Sequence, residues 1–416
     1  MSIVEPLSPT SPEFKGISPL NIIYEAGVDS ESRPILVLCA CNLPDPDTTN
    51  YDLILGFILG RLNEFVESDY VLVFFSSPAQ YRPSWMWLLK AYRALDRRYK
   101  KNLKALYVVH LTRTYRLIFD LANKITSPKF ARKLRYCSTL QELLGSIQIS
   151  TQFIPQQVRK YDAQLPPMPP AHPRYSVSLD SSKRPLPSLA FGLSLEELAA
   201  LEGWEKNEAG TRYIPRIVQK LVAQLRTKGL EKEGIFRKSP ASDELQMVKR
   251  ELNQGIQIDL SRHDVEVSAS LLKIFLKELP TPLIDSAFCA GLGKLPDSAD
   301  CSPEVLETIR AKFQEAYRDK PHQLALLQYL FEFFHQVACH ADKNRMTAHN
   351  LAVVLTPNLV RSSNNNNASP DVLPAPANQQ EAMATAATYL KEMNMGMALV
   401  QILIAHHQQI FSTKSA

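Results

Sequence analysis

The sequence predicts two domains of different class, an N-terminal α/β domain built on a parallel sheet and a C-terminal all-α domain. Within residues 30–163, apolar runs typical of strands alternate with helical stretches, which is the pattern of β-α-β units. From residue 189 to 416, apolar residues recur at helical spacing instead. A proline-rich linker at about 164–188 separates the two regions, and 416 residues are enough for a core in each.

The elements of the α/β region follow from this alternation. The predicted strands lie at 35–41, 70–75 and 105–109. The predicted helices lie at about 53–66, 84–99 and 113–125. Right-handed crossovers between parallel strands place such helices on both faces of the sheet. Residues 1–29 are expected to form a disordered lead, without the basic and apolar regions of a signal peptide.

The cysteine content and the apolar runs argue against a disulfide-rich protein, a zinc protein and a membrane-spanning protein. The six cysteines are scattered or occur as Cys39-Ala-Cys41, which is neither a disulfide framework nor paired zinc spacing. Cys339-His340 is an isolated pair, more typical of a helix end than of a metal-ligand set. No apolar run approaches the roughly 18 residues that span a bilayer. The expectation is a cytoplasmic protein with no metal and no cofactor.

Arg237 lies between two predicted helices of the C-terminal region. The first helix carries one apolar stripe and is closed by Gly229, and the second is predicted to begin at Ser239. Ile235 and Phe236 are expected to anchor the intervening loop in the core. Arg237 is then expected to face outward, either as an ordinary solvated arginine or as a functional one.

Three separated motifs favour a functional Arg237. Their sequences and their order resemble those of the RhoGAP domain family. They are Gly-Ile-Phe-Arg at 234–237, Leu-Leu-Lys-Ile-Phe-Leu-Lys-Glu-Leu-Pro at 271–280 and Asn-Leu-Ala-Val-Val-Leu-Thr-Pro-Asn-Leu at 350–359. The resemblance implies an activator that holds no nucleotide itself and accelerates GTP hydrolysis by a Rho-family small GTPase in its GTP-bound form. It also implies that Arg237 is the arginine finger, whose planar guanidinium stabilises charge on the transferring phosphoryl group.

The same resemblance gives roles to three further residues. Lys273 is implied to help hold the GTPase, and Asn358 to hydrogen-bond the GTPase near the finger, although Asn beside Pro357 is also an ordinary turn or cap residue. Lys277 stands where the family commonly has an arginine that supports the finger loop, and lysine replaces only part of those hydrogen bonds. The rival hypothesis is a lipid-binding adaptor scaffold whose RhoGAP-like domain binds GTPases without accelerating hydrolysis.

Residues 30–163 resemble a short CRAL-TRIO domain of the kind that precedes RhoGAP domains. The matching stretches include 85–89, 91–102 and 103–110, and the pattern starts at the sheet without the extra N-terminal helices of longer members. The resemblance implies a module that binds lipid, membrane or protein.

Charge in this domain is strongly one-sided. Residues 82–135 contain fifteen Lys or Arg against two acids, a balance of +13 in a chain of net charge +5. A solvated helix face is one explanation; an anionic partner is favoured, because so much like charge costs self-repulsion. Membrane lipid headgroups fit better than nucleic acid, for which no recognition helix or aromatic stacking motif is present. The expected lipid- or anion-binding residues, on a protein recruited peripherally to membranes, are Arg97, Arg98, Lys100, Lys101 and Lys104.

Two low-complexity segments complete the chain. The linker at 164–188 contains Pro167 and Pro170 in a PxxP pattern, which predicts either a ligand for an SH3-domain protein or a plain extended spacer. The asparagine- and proline-rich segment at 362–380 is expected to be a disordered insertion within the RhoGAP domain.

Overall fold

The structure is a computed structural model that describes residues 4–411 with gaps. The gaps are 82, 84, 112–129, 131, 166–187, 205–212, 294, 297–300 and 363–378, and the side chains of 85, 89 and 379–390 are also left out. The predicted helix at 113–125 and most of both low-complexity segments, including Pro167 and Pro170, lie outside the described residues.

The N-terminal domain is built on a five-stranded sheet in the order β1-β2-β3-β4-β5. The first two strands are antiparallel, and the other neighbours are parallel. The strands are β1 (Ile23–Val28), β2 (Pro34–Cys39), β3 (Tyr70–Phe75), β4 (Leu103–Val109) and β5 (Leu134–Cys137). The helices described with them are α1 (Pro12–Ile17), α2 (Tyr51–Asn63), α3 (Trp85–Ala94), α4 (Arg97–Asn102), α5 (Leu140–Ser146) and α6 (Gln156–Ala163). The predicted α/β domain with a parallel sheet is confirmed.

Both faces of this sheet are covered, because side chains alternate along each strand. On one face, Val37 and Val73 pack in a buried cluster with Leu143 of α5. On the other face, Leu36 packs in a second cluster with Phe57 of α2. Because successive side chains of β2 point to opposite faces, each face of the sheet packs against a different set of helices.

The N-terminal lead corrects the sequence prediction, since residues 12–28 are folded rather than disordered. The ring of Phe14 is buried, and its centroid lies 4.7 Å from that of Phe57. Strand β1 pairs along β2, with Ile23 opposite Leu38. The serine- and proline-rich composition of this segment did not predict strand β1, which is stabilised by pairing with β2.

The C-terminal domain is helical, as predicted. Its helices are α7 (Leu195–Leu201), α8 (Arg216–Gln224), α9 (Ser242–Asn253), α10 (Val265–Glu278), α11 (Ser286–Gly291), α12 (Pro303–Ala316), α13 (Pro321–Cys339), α14 (Ala341–Asn344), α15 (Ala348–Leu359), α16 (Gln379–Ala405) and α17 (His407–Phe411). Two short strands, β6 (Ile284–Asp285) and β7 (Val360–Arg361), pair in parallel. The buried core includes, from α10 and α13, Leu272, Phe275, Leu327, Phe331 and Phe334.

Two helix boundaries in this domain differ from the prediction. Helix α9 begins at Ser242 rather than Ser239, because the Ser239 N–H donates to the Asp69 carboxylate of the N-terminal domain at 2.8 Å and the chain enters the helix extended at Ala241. Helix α15 continues through Pro357 to Leu359, so Asn358 lies inside the helix rather than in a turn or cap beside it. The contact with Asp69 at the start of α9 is a tertiary contact, which local sequence does not report.

Candidate functional site

The loop that carries Arg237 turns through two residues in the left-handed region. Gly234 has φ 73° and Phe236 has φ 67°. Glycine adopts this region freely, whereas a bulky residue such as phenylalanine does so only when its surroundings hold it there. The N–H groups of Arg237 and Lys238 both donate to the Gly234 carbonyl, at 3.0 and 2.9 Å. The loop is therefore a tight and specific turn.

Aromatic packing holds Phe236 in this conformation. Its ring is fully buried, with its centroid 5.7 Å from that of Phe334 and 6.1 Å from that of Phe333 on α13. Ile235 is fully buried as well. The prediction that these two residues anchor the loop in the core is confirmed.

Lys273 supports the same turn from α10. Its ammonium donates to the Phe236 carbonyl at 2.9 Å, and the residue is only 3% exposed. Burial lowers the pKa of this lysine to about 8. Lys273 therefore holds the residue that precedes Arg237 from beneath the loop, rather than presenting its ammonium at the surface.

Asn344 is a support that the sequence analysis missed. Its side-chain amide donates to the carbonyls of Leu230 and Val337 at 2.7 and 2.8 Å, and its side-chain oxygen accepts from the Met346 N–H at 2.7 Å. Its own carbonyl accepts from the Gly234 N–H at 2.8 Å. A fully buried asparagine at a helix end has no spacing signal, so only its contacts identify it.

The side chain of Arg237 corrects the expectation of an outward-facing arginine, because it is only 11% exposed. Its guanidinium lies 3.6 Å from the Glu67 carboxylate in the turn before β3. Its Nε is buried with no hydrogen-bond partner among the described residues. The Arg237 carbonyl accepts from the Asp69 N–H at 3.2 Å. The N-terminal domain covers the loop at 234–238 that carries Arg237, here called the finger loop after the role that the family resemblance implies; this is a long-range contact that no local pattern in the sequence reports.

Lys277 also contacts the N-terminal domain. Its ammonium donates to the carbonyls of Asp29 and Val28, at 2.7 and 3.3 Å, in the turn that leaves β1. Burial lowers the pKa of this lysine. In this structure the hydrogen bonds of Lys277 therefore join the two domains, whereas Lys273 and Asn344 support the finger loop.

Asn358 lies inside α15 and is fully buried. Its side-chain amide donates to the Val354 carbonyl one turn earlier, at 3.0 Å. Its side-chain oxygen is buried with no hydrogen-bond partner in the described part of the chain. The contact to its own helix agrees with the alternative of a local structural residue, and the side chain is not exposed in this structure.

The predicted anion-binding residues lie on α4 and at the start of β4. Arg97, Arg98, Lys101 and Lys104 are exposed, and Lys100 is half-buried. Two of the five are already paired with acids near the finger loop. Arg98 lies 3.4 Å from Glu67, and Lys104 lies 3.0 Å from Asp69.

The N-terminal domain also contains a partly open apolar cavity of about 250 Å³. It lies between the sheet and the helices α2 and α3, on the face that carries Leu36. Its lining includes Leu38, Leu55, Leu72, Phe74, Trp87 and Phe130. Such a lining suits an aliphatic or aromatic ligand group.

Two other kinds of feature are absent from the described ranges. No group of three or more His, Cys, Asp or Glu residues there could hold a metal ion. No helix there is long and apolar enough to cross a membrane.

Comparison with known proteins agrees with both halves of the chain. The RhoGAP domain family matches residues 215–364, and the divergent CRAL/TRIO domain family matches residues 32–164. Strands β2 to β5 and most of the buried core of the helical domain lie within these two ranges.

Curated relatives share both regions. Rho GTPase-activating protein 8 of Mus musculus is 33% identical over 364 residues, which cover 86% of this chain and 83% of that protein. Rho GTPase-activating protein 1 of Homo sapiens is 34% identical over 355 residues, covering 82% of this chain and 75% of that protein. Rho GTPase-activating protein 68F of Drosophila melanogaster is 31% identical over 370 residues, covering 86% and 74%. The chain therefore belongs to the Rho GTPase-activating proteins, with a divergent CRAL/TRIO domain followed by a RhoGAP domain.

Proposed function

We propose that this chain accelerates GTP hydrolysis by a Rho-family small GTPase in its GTP-bound form, with Arg237 as an arginine finger that acts in trans. The observation that carries the proposal is the anchoring of the finger loop. Phe236 is fixed by its buried ring and by the ammonium of Lys273, and Gly234 is fixed by the carbonyl of Asn344. An ordinary surface arginine needs no such support.

The anchoring of the loop would help an arginine finger to stabilise charge in the transition state of hydrolysis. Negative charge spreads over the phosphoryl oxygens in the transition state, and a guanidinium aimed at them stabilises that charge. A backbone held in one conformation reduces the entropy lost when the arginine engages. A finger supplied in trans is worth about 10³ to 10⁵ in rate. In this proposal the GTPase holds the nucleotide, and the chain contributes Arg237 and the surface around it.

We further propose that the N-terminal domain brings the chain to membranes through anionic headgroups and apolar lipid. Two observations support this. The exposed side chains of Arg97, Arg98, Lys101 and Lys104 form a basic surface, and each basic residue near an anionic membrane is worth about 1 kcal/mol. The cavity of about 250 Å³ offers apolar walls to an acyl chain. The SH3-ligand candidate at Pro167 and Pro170 remains a prediction from sequence.

The adaptor scaffold remains the second candidate because of one observation. Arg237 and Lys277 are both covered by the N-terminal domain, so a GTPase that binds elsewhere on the chain would not meet the finger. The two candidates differ in one measurable quantity, the rate of GTP hydrolysis at saturating concentration of this chain.

A panel of soluble Rho-family GTPases tests the proposal. Each is loaded with GTP, and phosphate release is followed in a single turnover with increasing concentrations of the full chain. The proposal predicts a saturable rise in rate for at least one member. Binding of a GTPase without any rise in rate at saturation would contradict it and favour the scaffold.

A further inference from the structure

The end of helix α13 carries an exposed cysteine that the proposed function does not use. All six cysteines lie among the described residues, and Cys339 is the one whose side chain is exposed. Burial raises the pKa of Cys137 to about 11 and that of Cys289 to about 12. A thiol must lose its proton to act as a nucleophile, so burial makes those two unreactive, whereas Cys339 is accessible.

His335 lies one helical turn before Cys339, on the same face of α13. Its Nε2 atom is 3.4 Å from the Cys339 Sγ atom. His340, which follows Cys339 directly in the sequence, instead donates from Nδ1 to the Gln336 carbonyl at 2.9 Å. The histidine that meets the thiol is therefore not its neighbour in the sequence but the one four residues earlier.

The other ring nitrogen of His335 determines where its proton lies. Nδ1 is 2.9 Å from the carbonyl oxygen of Ile404, near the end of α16. A carbonyl only accepts hydrogen bonds, so Nδ1 carries the hydrogen and donates it. The neutral ring then has its lone pair on Nε2, and the Cys339 thiol donates to that lone pair.

The surroundings of His335 favour a positive charge on its ring. The last carbonyls of α16 carry partial negative charge, which stabilises an imidazolium that donates to them. His407 is buried with its ring centroid 4.5 Å from that of His335, and burial lowers the pKa of His407. His407 therefore stays neutral at pH 7 and does not repel a proton on His335. Because the C-terminal end of α13 disfavours an isolated thiolate, ionisation of Cys339 depends on this imidazolium.

A thiol, a base at its proton and a group that orients the base together form the arrangement of an activated nucleophile. We propose that Cys339 and His335 form a thiol-modification site for low-molecular-weight disulfides, at which Cys339 becomes a mixed disulfide. The proposal does not rest on the proposed function.

The exchange balances between the thiol and the disulfide. Nε2 of His335 takes the proton of the Cys339 thiol, and Sγ attacks one sulfur of the disulfide. A new S–S bond forms to that sulfur, the original S–S bond breaks, and the second sulfur leaves as a thiolate. The imidazolium then gives its proton to the leaving thiolate. Cys339 is oxidised and one half of the small disulfide is reduced, so no further oxidant is needed.

The test measures how fast Cys339 reacts with oxidised glutathione at pH 7, by mass spectrometry of the peptide that contains Cys339. An ordinary thiol is only a few per cent ionised at this pH, so a base beside it raises the rate by about tenfold. Cys339 should react about tenfold faster in the native full chain than in the same chain unfolded in urea, each rate being taken relative to a short cysteine peptide in the same solvent. Equal or slower reaction in the native chain would overturn the proposal, because exposure alone does not make a thiol more reactive than in an unfolded chain.

A variant of His335 separates the base from its packing. In His335→Asn, the amide replaces Nδ1 as a donor to the Ile404 carbonyl, and no atom replaces Nε2. Reaction of Cys339 should slow about tenfold while the circular dichroism spectrum stays that of wild type. The matched control His349→Asn, at an exposed histidine of α15, should leave the rate unchanged. A wild-type rate in His335→Asn would also refute the site, and if that variant does not fold, the comparison of native and unfolded wild type decides.

Discussion

The inner and outer sides of the finger loop differ in how completely their polar groups are paired. On the inner side, Lys273 donates to the Phe236 carbonyl, and both polar atoms of the Asn344 amide are used. On the outer side, Arg237 meets Glu67 only at 3.6 Å, and its Nε is buried with no partner in the described ranges. A buried polar group without a partner costs about 1–3 kcal/mol. The comparison indicates an inner support whose polar groups are paired and an outer cover that leaves part of the Arg237 guanidinium unpaired among the described residues.

Removing the inner anchor should have the largest effect on stability. Phe236→Ala leaves a cavity against Phe333 and Phe334 and should lower the free energy of unfolding of the C-terminal domain by about 3–5 kcal/mol. Urea denaturation followed by circular dichroism measures the change. Met247→Ala, a truncation at an exposed position of α9, is the matched control and should stay within about 0.5 kcal/mol of wild type. Equal small losses in both would show that the loop does not depend on this ring.

The N-terminal domain, which covers this loop, contains a buried carboxyl whose charge should weaken the fold as pH rises. Burial raises the pKa of Glu25 on β1 from 4.5 to about 7, and its Oε1 has no hydrogen-bond partner among the described residues. Between these two values the unfolded chain loses this proton while the folded chain keeps it. The group therefore contributes stability below pH 4.5, and that contribution is lost as pH rises through about 7.

Glu25→Gln removes this dependence. Compared with wild type, the variant should gain stability at pH 8 relative to pH 5, by about 3 kcal/mol at most, and urea denaturation at the two pH values measures the difference. Glu13→Gln, at an exposed position, controls for the loss of a charge. A variant that is destabilised equally at both pH values would mean that the carboxylate is paired in solution.

The sequence predicted the inner side of the loop better than the outer side. Ile235 and Phe236 are apolar residues between amphipathic helices, and their burial follows from that pattern. The strands β2, β3 and β4 likewise appear as apolar runs. The contact of Asp69 with Arg237 joins residues far apart in the chain, and neither residue type nor spacing reports such a contact.

Two further structural features could not be predicted from the local sequence pattern. Strand β1 follows a serine- and proline-rich stretch, and its pairing with β2 stabilises it. Asn344 resembles any polar residue at a helix end until the hydrogen bonds of its side chain and of its carbonyl are seen. Physical reasoning from sequence succeeds here where a periodic pattern encodes burial, and it fails where a tertiary contact selects the conformation.

Changes to the basic surface of the N-terminal domain should have a smaller effect, on membrane binding, and should leave the contacts between the N-terminal domain and the finger loop unchanged. Arg97 and Lys101 are exposed and are the cleaner targets, because Arg98 and Lys104 pair with Glu67 and Asp69 beside the finger loop. Arg97→Gln, Lys101→Gln should weaken binding to anionic vesicles by about 2 kcal/mol at low salt, and by less at higher salt. Vesicle co-sedimentation measures this. Equal binding by variant and wild type at low salt would favour a protein partner for the charge.

Lys277→Arg should have the smallest effect. The longer guanidinium can still donate to the Asp29 and Val28 carbonyls, so the maximal rate of GTP hydrolysis should rise slightly or stay unchanged. Single-turnover hydrolysis at saturating protein measures it. A large fall would show that lysine is required at this position, and the comparison with the family arginine would be wrong.

The central claim, that Arg237 supplies the catalytic charge, is tested most directly by Arg237→Ala in the same single-turnover assay. The proposal predicts that acceleration falls by about 10³ or more at saturating protein, while the chain still binds the GTPase. Arg262→Ala, at an exposed arginine of the same domain, should keep the wild-type rate. An Arg237→Ala variant that retains more than about a tenth of the wild-type rate would contradict the assignment, because a true finger is worth far more than tenfold.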